Sequence, residues 1–214
     1  MTYDAIILGG GAAGLFCAAE AGKRGRRVLV IEKNAQPGRK ILISGGGRCN
    51  FTNLNVTHEN FVSQNPHFAR SALARYTPAD FIELVRSHQI QYYEKTLGQL
   101  FCRDSSRSIV DMLLKECGRS RVKIYTGCEV RLVKKTSVFE VETAQGLFTA
   151  KKLVVATGGL SFAKIGATGL GYQIAEQFEL DIVKTRPSLV PLVIKGRTFS
   201  ELAGISAAAE VRAG

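Results

Sequence analysis

A strand that ends in Gly9-x-Gly11-x-x-Gly14 and runs straight into a helix constrains this chain more than any other feature. Asp4 to Leu8 is short, apolar and ended by glycine, the pattern of a buried strand. Ala12, Leu15, Phe16 and Ala19 then fall at helical spacing, and Arg27 to Ile31 (RVLVI) reads as a second buried strand. Strand, glycine turn, helix and strand within about thirty residues form a βαβ unit with parallel strands. Gly9 permits the tight turn, Gly11 lets the backbone approach a pyrophosphate, and Gly14 lets helix and strand pack closely. The helix N-terminus, with Ala12 and Ala13, offers free N–H groups and a positive dipole end to phosphates. Glu32 follows the second strand, about twenty residues beyond the turn, where a carboxylate can accept from ribose hydroxyls. The motif alone is weak, and a ligand-free glycine turn is the competing reading. The register of strand, helix and acid argues for the nucleotide.

The remaining pattern sets the layers. Residues 34–57 read as a long loop carrying Pro37-Gly38, the triple glycine 45–47 and three asparagines. Thr77 is a good N-cap before Pro78 and Asp80, opening a helix to about His88. A second helix covers Ser106 to Cys117, with Ile109, Val110, Leu113 and Leu114 on one face. Val122–Tyr125, Glu129–Val133, Val138–Glu142 and Leu147–Thr149 read as short strands, most of them in an antiparallel meander. Leu153–Ala156 is another buried strand that ends at Thr157-Gly158-Gly159, and Gly169 opens a helix to about Phe178. Past Pro187 the pattern turns strand-like again.

Two features favour FAD over a nicotinamide nucleotide. A meander leads back to the later parallel strand, where a simple NAD domain would use another helix. That layout, and the segment Val155-Ala-Thr-Gly-Gly159, resemble the FAD domain of glutathione-reductase-like flavoproteins. The carboxylate of Glu32 would also repel the 2′-phosphate of NADP. The most specific segment is Pro37-Gly-Arg-Lys-Ile-Leu-Ile-Ser-Gly-Gly-Gly-Arg-Cys-Asn-Phe-Thr-Asn53. Its triple glycine, flanked by Arg39, Lys40 and Arg48, can bring backbone amides and cations to an anion or to the electron-rich end of a flavin.

Here the sequence resembles a known family, the BaiN/RdsA-like (YhiN-type) NAD(P)/FAD-dependent oxidoreductases. Ser44-Gly-Gly-Gly-Arg-Cys-Asn-Phe-Thr-Asn53 is its hallmark. The likeness continues through Ser63–Phe68, Ser71–Thr77, Lys95–Cys102, Ile109–Leu113 and Ala156–Ser161. Leu97-Gly-Gln-Leu-Phe-Cys102 is similar to the RdsA branch, implicated in reducing a uridine of large-subunit ribosomal RNA to dihydrouridine. The BaiN branch is associated with C=C reduction in bile-acid-type substrates. The resemblance implies an α/β, three-layer FAD-binding Rossmann-like domain of parallel sheet, helices and β-meander over residues 1–190. It implies that 191–214 begin an inserted β-rich middle domain, so that the chain is truncated just inside it. It also implies NAD(P)H as electron donor. The cofactor contacts expected besides the glycine turn and Glu32 are Lys33, Arg39 and Lys40, then Ser44, Gly45, Gly46, Gly47, Arg48, Cys49 and Asn50, and finally Val130, Thr157, Gly158 and Gly159. Cys49 is the candidate for the acid that protonates the reduced bond or for a flavin contact, with Cys102 second. Both also read as small packing residues.

Composition excludes other classes. Five cysteines, an odd number without CxxC spacing, argue against a disulfide framework or zinc site and fit a reducing cytoplasm. His58, His67 and His88 form no metal-ligand pattern. No apolar stretch reaches the about 20 residues of a membrane span, so a cytoplasmic protein with no membrane partner is expected. The formal charge of +11 exceeds what one nucleotide needs. Basic clusters stand at Lys23–Arg27, Arg119–Lys123, Lys134-Lys135 and Lys151-Lys152; each reads as a solvated face or as part of a ribosomal RNA footprint. Three readings remain: a flavoenzyme acting on ribosomal RNA, one acting on a small enone, or a non-catalytic nucleotide-binding fragment.

Overall fold

The computed structural model describes residues 2–161 and 163–186. Residues up to Asp181 form one compact unit, and Ile182–Gly214 fall to a second. The strand-like pattern past Pro187 and the domain expected from 191 lie outside the described residues.

The first unit is built on a six-stranded sheet in the order β6-β2-β1-β9-β8-β7. Strand β1 (Thr2–Leu8) leads into α1 (Ala12–Lys23) and β2 (Val28–Ile31). β2 and β9 (Gly146–Val155) flank β1 in parallel register, with Ile7 opposite both Val30 and Val154. Alternation along these strands feeds two cores. Ile7, Val28 and Val30 face α1 and α5 (Arg107–Arg119), packing on Leu15, Ala18, Val110 and Leu113. Ile6, Leu8, Leu29 and Ile31 face the other way, onto Val133 of β7 (Val130–Lys135), Val141 of β8 (Phe139–Thr143) and Ile174 of α6 (Leu170–Gln177). Helices, parallel sheet and meander are thus the three layers of a Rossmann-like domain.

Three elements differ from the sequence pattern, each for a physical reason. The strand expected over Val122–Tyr125 is β6 (Lys123–Tyr125), which extends the parallel sheet as partner of β2 and takes no part in the meander. Packing of α5 on α1 delivers the chain to the open edge of β2, and period-two alternation carries no information about the partner. Leu147–Thr149 and Leu153–Ala156 are one continuous strand, β9, antiparallel to β8 in its first half and parallel to β1 in its second. Lys151 and Lys152 do not interrupt it, because both are exposed and Lys151 pairs with Asp4 at 3.0 Å. The loop 34–57 contains α2 (Arg39–Ile43), a tight turn at Ser44–Gly47 and β3 (Asn50–Asn53). β3 belongs to a small antiparallel sheet with β4 (Tyr92–Glu94) and β5 (Gln99–Cys102), in the order β3-β5-β4. Between them lie α3 (Arg70–Arg75) and α4 (Pro78–Ser87), the latter opened by the expected capping box between Thr77 and Asp80.

Close approach at the glycine turn fixes how α1 enters. A Cβ on Gly14 would stand 1.9 Å from the carbonyl oxygen of Gly9. Gly9 itself has φ +105°, and a Cβ there would stand 2.5 Å from the oxygen of Ala156. At the opposite end of α1, Glu116 of α5 is nearly buried. It accepts from Lys23 at 3.0 Å, from His88 Nε2 at 2.8 Å and from Arg119 at 2.8 Å. Burial pushes the Glu116 carboxyl up, but these hydrogen bonds outweigh it and hold it at about 2.

Two outcomes test this account. Gly14→Ala must displace α1 from β1 and should cost roughly 3 kcal/mol, read from denaturant unfolding. The depressed Glu116 carboxyl contributes stability in full above about pH 4.5 and loses it as pH falls toward about 2. Glu116→Gln should therefore flatten the acid limb of a stability-against-pH curve and cost about 2 kcal/mol at neutral pH.

Candidate functional site

The C-terminal ends of β1, β2 and β9 converge on the first turn of α1. That turn has no side-chain cap: Gly11 occupies the cap position in extended conformation and has no side chain to accept from the first amides. Its orphan amides therefore open outward, a ready anion site. Glu32, 8% exposed at the end of β2, holds the turn in place. Its Oε2 accepts from Gly10 N–H at 2.7 Å, and its Oε1 accepts from the Asn34 N–H at 2.8 Å and the Asn34 side-chain amide at 2.6 Å. Each carboxylate oxygen offers two lone pairs, so one on Oε2 remains for a ligand hydroxyl.

Two cavities flank this helix end and share Ala12, Ala13, Lys40 and Ile41 in their walls. The first, about 510 Å³, is lined by Gly9, Gly11, Glu32, Lys33, Arg39, Val130, Thr157 and Gly158 among others. Arg39 donates to Asn34 Oδ1 at 3.0 Å, and Lys40 reaches Ser161 Oγ at 2.9 Å across the Thr157–Gly159 turn. The second cavity, about 870 Å³, is lined by Ser44, Gly45, Cys49 and Asn50 on one side and by Phe16, Phe51, Tyr76 and Phe81 on the other. It is an apolar slot with one wall of peptide groups.

Gly45 and Cys49 of that wall belong to a turn of mostly left-handed backbone. Gly45, Gly46 and Gly47 have φ of 56°, 64° and 83°, and Cys49 follows at 50°. Glycine adopts this freely, whereas for cysteine it costs about 1–2 kcal/mol. The conformation is held by Cys49 N–H donating to Ser44 O at 3.0 Å, Cys102 N–H to Arg48 O at 2.9 Å and Ser106 N–H to Gly47 O at 2.8 Å. Burial pushes the Cys49 thiol up against the opposing hydrogen bond with Ser44, so the group is a neutral thiol at physiological pH. Cys102 is fully buried, and that burial pushes its thiol up to about 12. It does not line either cavity.

Not every expected contact residue sits in a cavity wall. Gly14 is committed to packing against Gly9, and Gly46, Gly47, Arg48 and Gly159 lie outside both linings. Arg48 instead donates to Arg103 O at 2.9 Å. Conversely, Asn34, Glu129 and the 165–170 segment line the first cavity, and the aromatic side of the second was not expected. Asn34 carried a usable signal, an amide two residues beyond the strand-end acid. The aromatic residues carried none, because Phe16, Phe51 and Phe81 come from three separate elements. Among the described residues, no group of three His, Cys, Asp or Glu could hold a metal ion, and no helix is long and apolar enough to cross a membrane.

Comparison with known proteins places this geometry. A family model described as the HI0933-like protein Rossmann domain matches residues 3–209. The chain is 53% identical over 201 residues to ribosomal RNA dihydrouridine synthase of Escherichia coli (strain K12), covering 94% of this chain and 50% of that protein. It is 50% identical over 210 residues to the protein of the same name from Haemophilus influenzae, covering 94% and 52%. A 3-dehydro-bile acid delta(4,6)-reductase of Clostridium scindens is 32% identical over 211 residues, covering 97% and 51%. The chain thus spans about half the length of the curated relatives it matches. Among solved structures, glycine oxidase from Bacillus cereus aligns with a TM-score of 0.52 at 18% identity, covering 74% of this chain and 55% of that one. Thermovibrio ammonificans THI4 aligns at 0.50 and 12%, covering 81% and 62%. These two likenesses are of fold. Identity is higher to the two synthases than to the reductase, which sets the chain on the synthase side of the family. A family model that matches residues 3–209 and the relatives' identities together show that this chain belongs to the HI0933-like Rossmann-domain family.

Proposed function

We propose that this chain is the FAD-holding part of a flavin-dependent oxidoreductase that reduces a uridine of large-subunit ribosomal RNA to dihydrouridine, with NAD(P)H as electron source. The observation that carries the substrate is the identity of 53% and 50%, over 94% of the chain, to two proteins named ribosomal RNA dihydrouridine synthase. The residues present fit the cofactor. Uncapped amides at Gly11–Ala13 suit a pyrophosphate, the spare lone pair of Glu32 suits a ribose hydroxyl, and two cavities joined at one helix end suit an elongated dinucleotide.

When bound, FAD supplies hydride transfer, the chemistry that no side chain here can perform. The chain's own residues do the rest. The α1 N-terminus and Lys40 take the phosphate charge, and Glu32, Lys33 and Val130 bound the space for the adenosine half. The wall of Ser44, Gly45, Cys49 and Asn50 and the aromatic residues opposite exclude water from the second cavity, the space proposed for the flavin ring. Cys49 holds a proton on Sγ at neutral pH, which suits an acid that completes reduction of the C=C bond and does not suit a thiolate nucleophile. The apolar slot would also accept a small enone, and the 32% identity to the bile-acid reductase favours that second reading. Residues 1–190 as one FAD-binding domain, with 191–214 opening another, belong to the same proposal.

The test is direct. Flavin-loaded protein, NAD(P)H and a ribosomal RNA transcript should yield RNA with a uridine heavier by two hydrogens in mass spectrometry. Unchanged RNA with turnover of an enone instead would select the second reading. Glu32→Gln replaces a charge-assisted acceptor and should weaken FAD binding about tenfold or more in a fluorescence titration. Cys49→Ala should keep its flavin spectrum and lose turnover by about 10²-fold or more; full turnover would remove Cys49 from the acid role.

A further inference from the structure

Two basic clusters separated by more than ninety positions in sequence become one surface in the fold. Lys23–Arg27 runs from the last residue of α1 through the turn before β2, and Arg119–Lys123 runs from the last residue of α5 through a turn into β6, the parallel neighbour of β2. The turns touch: a Cβ on Gly22 would stand 2.7 Å from Ser120 and 3.1 Å from Val122. Lys23 and Arg119 share the carboxylate of Glu116, at 3.0 and 2.8 Å. Lys151 of β9 continues the surface through Asp4, whose other oxygen accepts from the Arg27 N–H.

Arg24, Arg26, Arg27, Arg119, Arg121 and Lys123 are all exposed. The carboxylates paired within this surface are Glu20, Glu116 and Asp4, and these are already engaged by Lys23, Arg24, Arg119 and Lys151. Arg26, Arg121 and Lys123 make no ion pair among the described residues. Excess positive charge is therefore concentrated here, and no part of it lines either cavity.

Position gives the charge its meaning. Both turns lie at the N-terminal end of the parallel strands, while the candidate site lies at the C-terminal end. The seven residues of β1 separate the two ends by about 20 Å. A nucleoside or an enone in the site cannot reach across that distance. A folded RNA can, because its phosphates continue well beyond the nucleotide being modified. We infer that the paired turns 23–27 and 119–123 form an anchoring surface for the phosphate backbone of an RNA substrate, remote from the catalytic end. Phosphate contacts of this kind set position and affinity without reading sequence. The inference rests on the ribosomal RNA reading above and locates where such a substrate would be held.

The experiment compares the full flavin-loaded protein with Arg26→Gln/Arg121→Gln/Lys123→Gln and with Lys134→Gln/Lys135→Gln. The probe is a labelled ribosomal RNA transcript, followed by anisotropy from about 50 to 200 mM salt. The three exposed substitutions should leave flavin content and melting temperature unchanged. They should weaken RNA binding at least about tenfold and reduce the slope of log K against log salt by about 2 to 3, while the Lys134/Lys135 variant changes affinity less than about twofold and the slope by less than about 0.5. If the triple variant keeps the wild-type slope, or if both variants lose it equally per charge removed, the anchoring surface is wrong and the RNA reading stands. If wild-type protein itself shows no salt-dependent binding to the transcript, the ribosomal RNA reading fails and takes the surface with it.

Discussion

The bond from Gly10 N–H to the Glu32 carboxylate organises the site end of this domain. It ties the glycine turn after β1 to the end of β2, and through Asn34 it ties both to the start of the long segment that follows. Gly38 N–H donates back to Gly10 O at 2.8 Å, closing the same circuit from the other side. The turn is thereby fixed before any ligand arrives, with its unsatisfied amides already aimed outward. Preorganised donors of this kind bind anions without a further cost of ordering. The lack of a Cβ at Gly14 then lets α1 begin directly above the turn.

The steric roles of Gly9 and Gly14 in the glycine fingerprint were legible in sequence, because each answers a local packing demand. The two buried strands, α1, the capped helix α4 and the amphipathic α5 were legible for the same reason: periodicity and caps are local signals. What was not legible depends on partners. β6 leaves the meander because α5 packs on α1 and returns the chain beside β2. β9 runs unbroken through Lys151 and Lys152 because their long side chains reach solvent from both positions. In the site, the glycine-rich segment announced itself, but its division between a cavity wall (Ser44, Gly45, Cys49, Asn50) and an outer turn (Gly46, Gly47, Arg48) follows from β3 pairing with β5, a contact across some fifty residues of sequence.

The distribution of charge is the second organising feature. The chain carries +11, yet cations do not crowd the candidate site. Lys33, Arg39 and Lys40 suffice there, and Arg39 and Lys40 are already hydrogen-bonded to Asn34 and Ser161. Among the described residues the other cations are exposed, and they gather where the two turns before β2 and β6 meet.

The central claim is that the circuit of Gly10, Glu32 and the uncapped helix end holds FAD. The visible absorption spectrum of the purified protein, followed by heat release and chromatography of what comes off, tests it most directly. The account predicts flavin bands and released FAD. A folded protein that is colourless, and that stays so after FAD is added, would contradict it.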